Sequence, residues 1–130
     1  MVDGRGTPIS CLTTTARHAE VHCIETLVEI QVAGKRPKRL LYDKAADADW
    51  LRDSLANRGI ELICPHRKNR RKPSRQDGRS LRRYRHRWII ERTISWLQNS
   101  RRLLVRHEYY SHLFDGFVTL ACLMLTLKWF

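Results

Sequence analysis

Three consecutive pieces decide the fold: Arg39-Leu40-Leu41-Tyr42-Asp43, then Asp47-Ala48-Asp49-Trp50-Leu51-Arg52-Asp53-Ser54-Leu55, then Ile60-Glu61-Leu62-Ile63-Cys64. The first and last are short apolar runs of strand length, the last stopped by Pro65. Between them Trp50, Leu51 and Leu55 recur at helical spacing. Asp47 stands where an N-cap is expected, and Gly59 where a helix stops. Strand, helix and strand joined by short links form a βαβ unit, which requires two parallel strands. The expected fold class is therefore α/β.

Upstream, Val21, Ile24, Leu27, Val28 and Ile30 predict a helix over residues 18–32, closed by Gly34 and Pro37. Asp3-Gly4-Arg5-Gly6 is turn chemistry, and residues 8–13 alternate as a strand would. Only Met1-Val2 stands before that turn, so the chain is expected to enter in the middle of a sheet. Downstream, Pro73, Ser74 and Gly78 mark residues 66–80 as a solvated basic loop. A long helix is expected over 81–105. A more apolar helix is expected over 112–130, packing through Phe114, Phe117, Leu120, Leu123, Met124 and Leu127, with its excess apolar surface also readable as an interface. The whole of 1–130 reads as one domain.

With 130 residues, 42% of them hydrophobic, the chain has material for one core and is not disordered by composition. Its formal charge of +12 calls for a polyanionic partner. Fifteen of the 25 Lys and Arg lie between His66 and Arg106, against only Asp77 and Glu91 as acids, so one segment carries the whole excess. Within it, the loop from Arg67 to Arg75 lacks interleaved aromatics, which points to phosphate contact rather than base stacking. Trp88 and Trp96 on the long helix read as packing or partner contacts rather than wedges in DNA.

The four cysteines, Cys11, Cys23, Cys64 and Cys122, form no Cys-x-x-Cys pair and read as reduced, mostly buried thiols. No leader is legible, because Asp3, Gly4 and Arg5 follow Met1 directly. The apolar run from Phe117 to Leu127 is too short to span a bilayer, so no membrane role is expected. His18 and His22 have a zinc-compatible spacing but no third ligand, and read as a surface pair.

On a continuous helix, Tyr84, Arg87, Glu91 and Gln98 project into an arc of about 60°, with Ile90, Ile94 and Leu97 beside it as an apolar stripe. Glu91 then stands at the edge of the buried face, one turn from Arg87. Two readings are open. As a salt bridge to Arg87 it contributes a few tenths of a kcal/mol at most, roughly. As a metal ligand it holds a divalent cation beside a phosphodiester, with the flanking arginines on the backbone phosphates. Asp43 ends a central strand, where α/β folds place their chemistry. With Asp47 the better-placed helix cap, Asp43 is left for another purpose.

Residues 40–49 resemble the segment around the second catalytic Asp of DDE transposases of the insertion sequence five family. Tyr84-x-x-Arg87-x-x-x-Glu91, followed after six residues by Gln98, is similar to that group's Tyr-Arg-Glu-Lys signature. Residues 65–71 and 92–102 continue the likeness, which covers nearly the whole chain. It implies a ribonuclease-H-like fold, and Asp43 and Glu91 as the second and third carboxylates of a two-metal site for Mg²⁺ or Mn²⁺. It also implies DNA contacts from Tyr84, Arg87, Gln98, Arg67, Arg70, Arg71 and Arg92.

The implied activity is metal-dependent cleavage and strand transfer of double-stranded DNA, at transposon ends and target, in the bacterial cytoplasm and nucleoid. Gln98 stands in place of the signature Lys, and Ala46 where an aromatic residue is common. The first catalytic Asp belongs on a strand before the opening turn. The chain therefore reads as a truncated or frameshifted portion lacking that strand and the N-terminal DNA-binding region, and so as inactive alone. Its expected protein partner is an N-terminal half or an intact transposase. The alternatives are a non-catalytic nucleic-acid-binding remnant that interferes with an intact transposase, and an unrelated RNA-binding protein.

Overall fold

Two three-residue strands, β1 (Arg39–Leu41) and β2 (Glu61–Ile63), run parallel with Leu40 opposite Leu62. The computed structural model describes residues 1–14 and 17–128. Between the strands lie a 3-10 turn, Lys44–Ala46, and helix α2 (Asp49–Asn57). Both strands are shorter than their apolar runs: Asp43 and Cys64 have left the ladder, while the Tyr42 N–H still donates to the Ile63 carbonyl at 3.0 Å. Gly59, at φ +75°, reverses the chain after α2 so that the Ile60 N–H reaches the Leu55 carbonyl.

The core forms on one side of this unit. Leu51 and Leu55, one turn apart on α2, meet Ile60, Leu62 and Cys64, and Ile24 and Val28 close the cluster from helix α1 (Ile24–Glu29). The expected helix over 18–32 is thus a 3-10 turn, Glu20–Cys23, followed by the six residues of α1. It ends at Ile30, well before Gly34, because nothing covers its outer side: Ile30 and Val32 are exposed. The opening turn forms as expected, with the Asp3 carboxylate accepting from the N–H groups of Arg5 and Thr7. The expected strand 8–13 is reduced to one antiparallel bridge, Val2 to Pro8.

The long helix expected over 81–105 is broken. Asp77 caps a single turn, α3 (Gly78–Leu81), and residues 82–87 wind as a 3-10 helix. They read Arg-Arg-Tyr-Arg-His-Arg, and the flanking backbone at Leu81 and Trp88 stays right-handed helical. Helix α4 (Trp88–Gln98) then runs to Asn99-Ser100, where Ser100 is extended before α5 (Arg101–Leu104). Helix α6 (Ser111–Leu127) matches its expected place, but only Ala121 and Leu125 are buried. Leu113, Leu120, Leu123, Met124 and Leu127 face outward, so the expectation of core packing fails for most of the helix. No described helix is long and apolar enough to cross a membrane. Of the four free cysteines only Cys64 is buried, its thiol pushed up to about 11 by desolvation.

Candidate active site

Asp43 leaves β1 in an extended conformation and its carboxylate accepts from the Ala45 N–H at 2.8 Å, capping the 3-10 turn. The expectation of Asp47 as the helix cap is therefore reversed. Helix α2 is preceded by Ala48 with no side-chain cap, and it is Asp43 that serves a turn.

Arg87 joins Asp43 to Glu91. Its Nη2 lies 3.6 Å from Asp43 Oδ2, and its Nη1 lies 3.6 Å from Glu91 Oε1. Tyr84 Oη accepts a 3.2 Å hydrogen bond from the same guanidinium, whose centre stands 5.9 Å from the Tyr84 ring centroid. Partial burial pulls the Arg87 pKa down, and the Tyr84 hydrogen bond and the charges of Asp43 and Glu91 outweigh it, leaving the pKa raised. Three residues of the expected site, Asp43, Tyr84 and Glu91, are thus gathered around a fourth, Arg87. The gathering does not use the expected wheel: Tyr84 and Arg87 lie on the 3-10 segment, and Glu91 is exposed rather than at a buried edge. Gln98 is exposed near the end of α4 and, among the described residues, forms no hydrogen bond or ion pair with the other four.

Two carboxylates bridged by a guanidinium are two of the three that the resemblance implies for a two-metal centre. Among the described residues no three His, Cys, Asp or Glu side chains converge as a metal site. The described residues therefore do not form a complete site for a divalent cation.

The other expected DNA contacts divide into two groups. Arg92 points inward: Nη2 donates to the Arg5 carbonyl at 2.7 Å, and its guanidinium lies 4.8 and 4.6 Å from the Trp88 and Trp96 rings. Arg67 donates to the carbonyls of Lys44 and Ala45. Arg70 is engaged by Asp47, Asp49 and the Pro73 carbonyl. Arg71 is exposed, as are Lys68, Arg82, Arg83 and Arg85, and none of these five has an acidic partner among the described residues.

What the sequence reading missed is Asp47. Its carboxylate is 1% exposed and meets Arg52 at 3.3 Å, Arg70 at 3.2 Å, His66 Nδ1 at 2.8 Å and the Arg67 N–H at 2.9 Å. Arg52 continues inward to the carbonyls of Leu62 and Cys64. Burial raises the Asp47 pKa, but the hydrogen bonds from Arg67, His66 and Arg52 outweigh it and hold the group below the ordinary carboxylate range. The basic loop is thus tied to the βαβ unit rather than freely solvated. The available signal was the acidic series Asp47, Asp49, Asp53 opposite a loop of matching positive charge.

The chain matches the transposase DDE domain family over residues 1–127. It is also 29% identical, over 133 aligned positions, to a Burkholderia cepacia protein described as a transposase for insertion sequence element IS402. The alignment covers 96% of this chain and 59% of that relative. No solved structure matches it. With the family match running through nearly every residue and the acidic pair Asp43 and Glu91 gathered at Arg87, the chain belongs to the transposase DDE domain family.

Proposed function

We propose that this chain is the part of an insertion-sequence transposase that carries its second and third catalytic carboxylates, Asp43 and Glu91, within a ribonuclease-H-like domain. The observation that carries this reading is that Arg87 reaches both, although they stand 48 positions apart in the chain. The substrate is double-stranded DNA, and its backbone meets the exposed cations Arg71, Arg82, Arg83 and Arg85. Arg87 and Tyr84 present donors beside the carboxylates, where the guanidinium exchanges a carboxylate for a phosphate oxygen in the same fork geometry. Arg92 acts through packing, fixing the opening turn on α4.

The divalent cation of such chemistry, Mg²⁺ or Mn²⁺, supplies a Lewis acid when bound. Asp43 and Glu91 would be two of its ligands. The second reading, a DNA-binding portion without catalysis of its own, is favoured by the guanidinium standing between the two carboxylates.

Cleavage of a labelled duplex with Mn²⁺ separates the readings. Catalysis predicts cleavage that falls more than about 100-fold in Asp43→Asn and in Glu91→Gln, with duplex affinity kept within about threefold. Binding without cleavage supports the second reading. Cleavage unchanged in both variants removes the site assignment. Affinity that does not fall with added salt removes the phosphate contact itself.

A further inference from the structure

The basic loop is not presented to solvent as an open row of cations. Three of its charges are held against one edge of α2. Arg70 meets Asp49 at 2.8 Å, Lys72 meets the other oxygen of Asp49 at 3.2 Å, and Arg75 lies 3.9 Å from Asp49 and 2.5 Å from Asp53. Asp49 and Asp53 are one helical turn apart on α2, so their carboxylates form a short anionic row about 6 Å in spacing. A polynucleotide backbone offers the same chemistry: anionic oxygens at regular intervals, recognised by guanidinium forks and ammonium groups.

The two ends of this row differ in a way that matters. Arg70 is 10% exposed at its side chain and also belongs to the buried Asp47 cluster, so it stays where it is. Lys72 and Arg75 are 72% and 44% exposed, and Asp53 57%. Exposed ion pairs of that kind are weak and screened by salt, whereas each cation moved onto duplex DNA releases a condensed counterion. Lys72 and Arg75 can therefore exchange partners, while Arg70 and His66 keep the loop anchored.

We propose that the Asp49–Asp53 edge of α2 is an internal phosphate mimic, which occupies Lys72 and Arg75 until duplex DNA displaces it. This rests on the reading of the chain as a duplex-DNA-binding domain. The device restrains non-specific binding: a strand must compete with the helix edge before it gains those two contacts. Hydrogen bonds from Arg70 to Asp49 and from Arg75 to Asp53 hold both carboxyls below their ordinary range, so the edge stays anionic at neutral pH.

The test is a four-protein cycle: wild type, Asp49→Asn/Asp53→Asn, Lys72→Gln/Arg75→Gln, and all four changes together. Each is titrated against one fluorescent 20-base-pair duplex across a range of salt. In the wild-type background, Lys72→Gln/Arg75→Gln is expected to weaken binding less than about twofold. In the background lacking both carboxylates it is expected to weaken binding about tenfold or more. Asp49→Asn/Asp53→Asn alone should bind tighter, with a slope of log affinity against log salt steeper by about two contacts.

Simple long-range electrostatics would make the two losses equal. Equal losses, with salt-dependent binding retained throughout, overturn the mimic and leave the DNA-binding reading standing. Binding gained only when the carboxylates are removed supports the mimic. Binding by none of the four overturns both.

Discussion

Residues 24–64 and residues 78–127 both carry strong helical or strand-like apolar patterns, yet they bury them very differently. In the first region Ile24, Leu51, Leu55, Ile60, Ile63 and Cys64 are at most 2% exposed, and a buried ion cluster around Asp47 and Arg52 sits at its edge. In the second, the buried set is Thr93, Ala121 and Leu125. Ile94, Leu104, Val105, Leu113, Leu120, Leu123, Met124 and Leu127 are all exposed. The difference follows from layering. The βαβ unit places a helix and a strand pair face to face and α1 over them, whereas α4, α5 and α6 meet mainly one another. Where α6 is covered at all, arginines contribute: Arg102 lies over Phe117 at 5.4 Å and Arg106 over Phe114 at 5.7 Å.

If the first region owes its integrity to buried partners, Asp47→Asn is the largest blow available. It leaves Arg52 and Arg70 facing a neutral amide in a site with 1% exposure, and loss of one partner of a buried pair costs about 3–5 kcal/mol. Urea denaturation should show that loss with the m-value little changed. The same residue sets an acid limit. Because its folded pKa is depressed, its stabilisation is complete above the unfolded value near ~3.9 and disappears as pH falls through the lower folded value. The variant should therefore lack this part of the wild-type decline below about pH 4. A loss under about 1 kcal/mol would show that the cluster is not what fixes the loop to the βαβ unit.

The same contrast governs what was legible in the sequence. The βαβ unit could be read because short runs between Pro, Gly and Asp leave few other foldings, and its strands pair as expected. Periodicity also located α6 to within a residue or so at its start, but a period says which residues share a face and not whether another layer meets it. The 3-10 winding at 82–87 is invisible to apolar periodicity, because Arg-Arg-Tyr-Arg-His-Arg offers no apolar face to read. For the candidate site, the strand end singled out Asp43 and the helix wheel Tyr84, Arg87 and Glu91, their roles came from the resemblance, and the structure brings them together at the Arg87 guanidinium. Gln98 stays apart and Arg92 turns inward. Asp47 was misjudged as a cap, since a helix-start position and a buried ion-pair hub look alike until the loop returns to it.

One joint links the start of the chain to the helical region, and it is built on Gly6. Its φ is +95°, and a Cβ there would lie 2.9 Å from both Arg92 Nη2 and Thr93 Oγ1, and 3.3 Å from Ile89 Cγ2. Thr93, fully buried, donates to the Gly6 carbonyl at 2.8 Å. Gly6→Ala combines an unfavourable backbone conformation with a clash against the two groups that grip the turn. It should cost about 1–3 kcal/mol in denaturant unfolding. A neutral Gly6→Ala would mean that the turn is not seated on α4, and the helical region would then stand even more loosely than its burial indicates.

The smallest effects test the exposed side of the comparison, and α6 permits it within a single helix. Leu125 is 8% exposed and Ala121 7%, while Leu120 and Met124, their immediate neighbours in sequence, are 52% and 56% exposed. Leu125→Ala removes buried methyl groups and should destabilise by about 2 kcal/mol. Leu120→Ser and Met124→Ser remove side chains that already meet solvent, and each should change stability by less than about 0.5 kcal/mol. Helix propensity favours Ala over Ser by a few tenths of a kcal/mol, roughly, which opposes the expected order, so burial must produce it. If Leu120→Ser or Met124→Ser cost as much as Leu125→Ala, the outer face of α6 is covered in solution. The helical region would then be packed as the βαβ unit is, and the contrast between the two would fail.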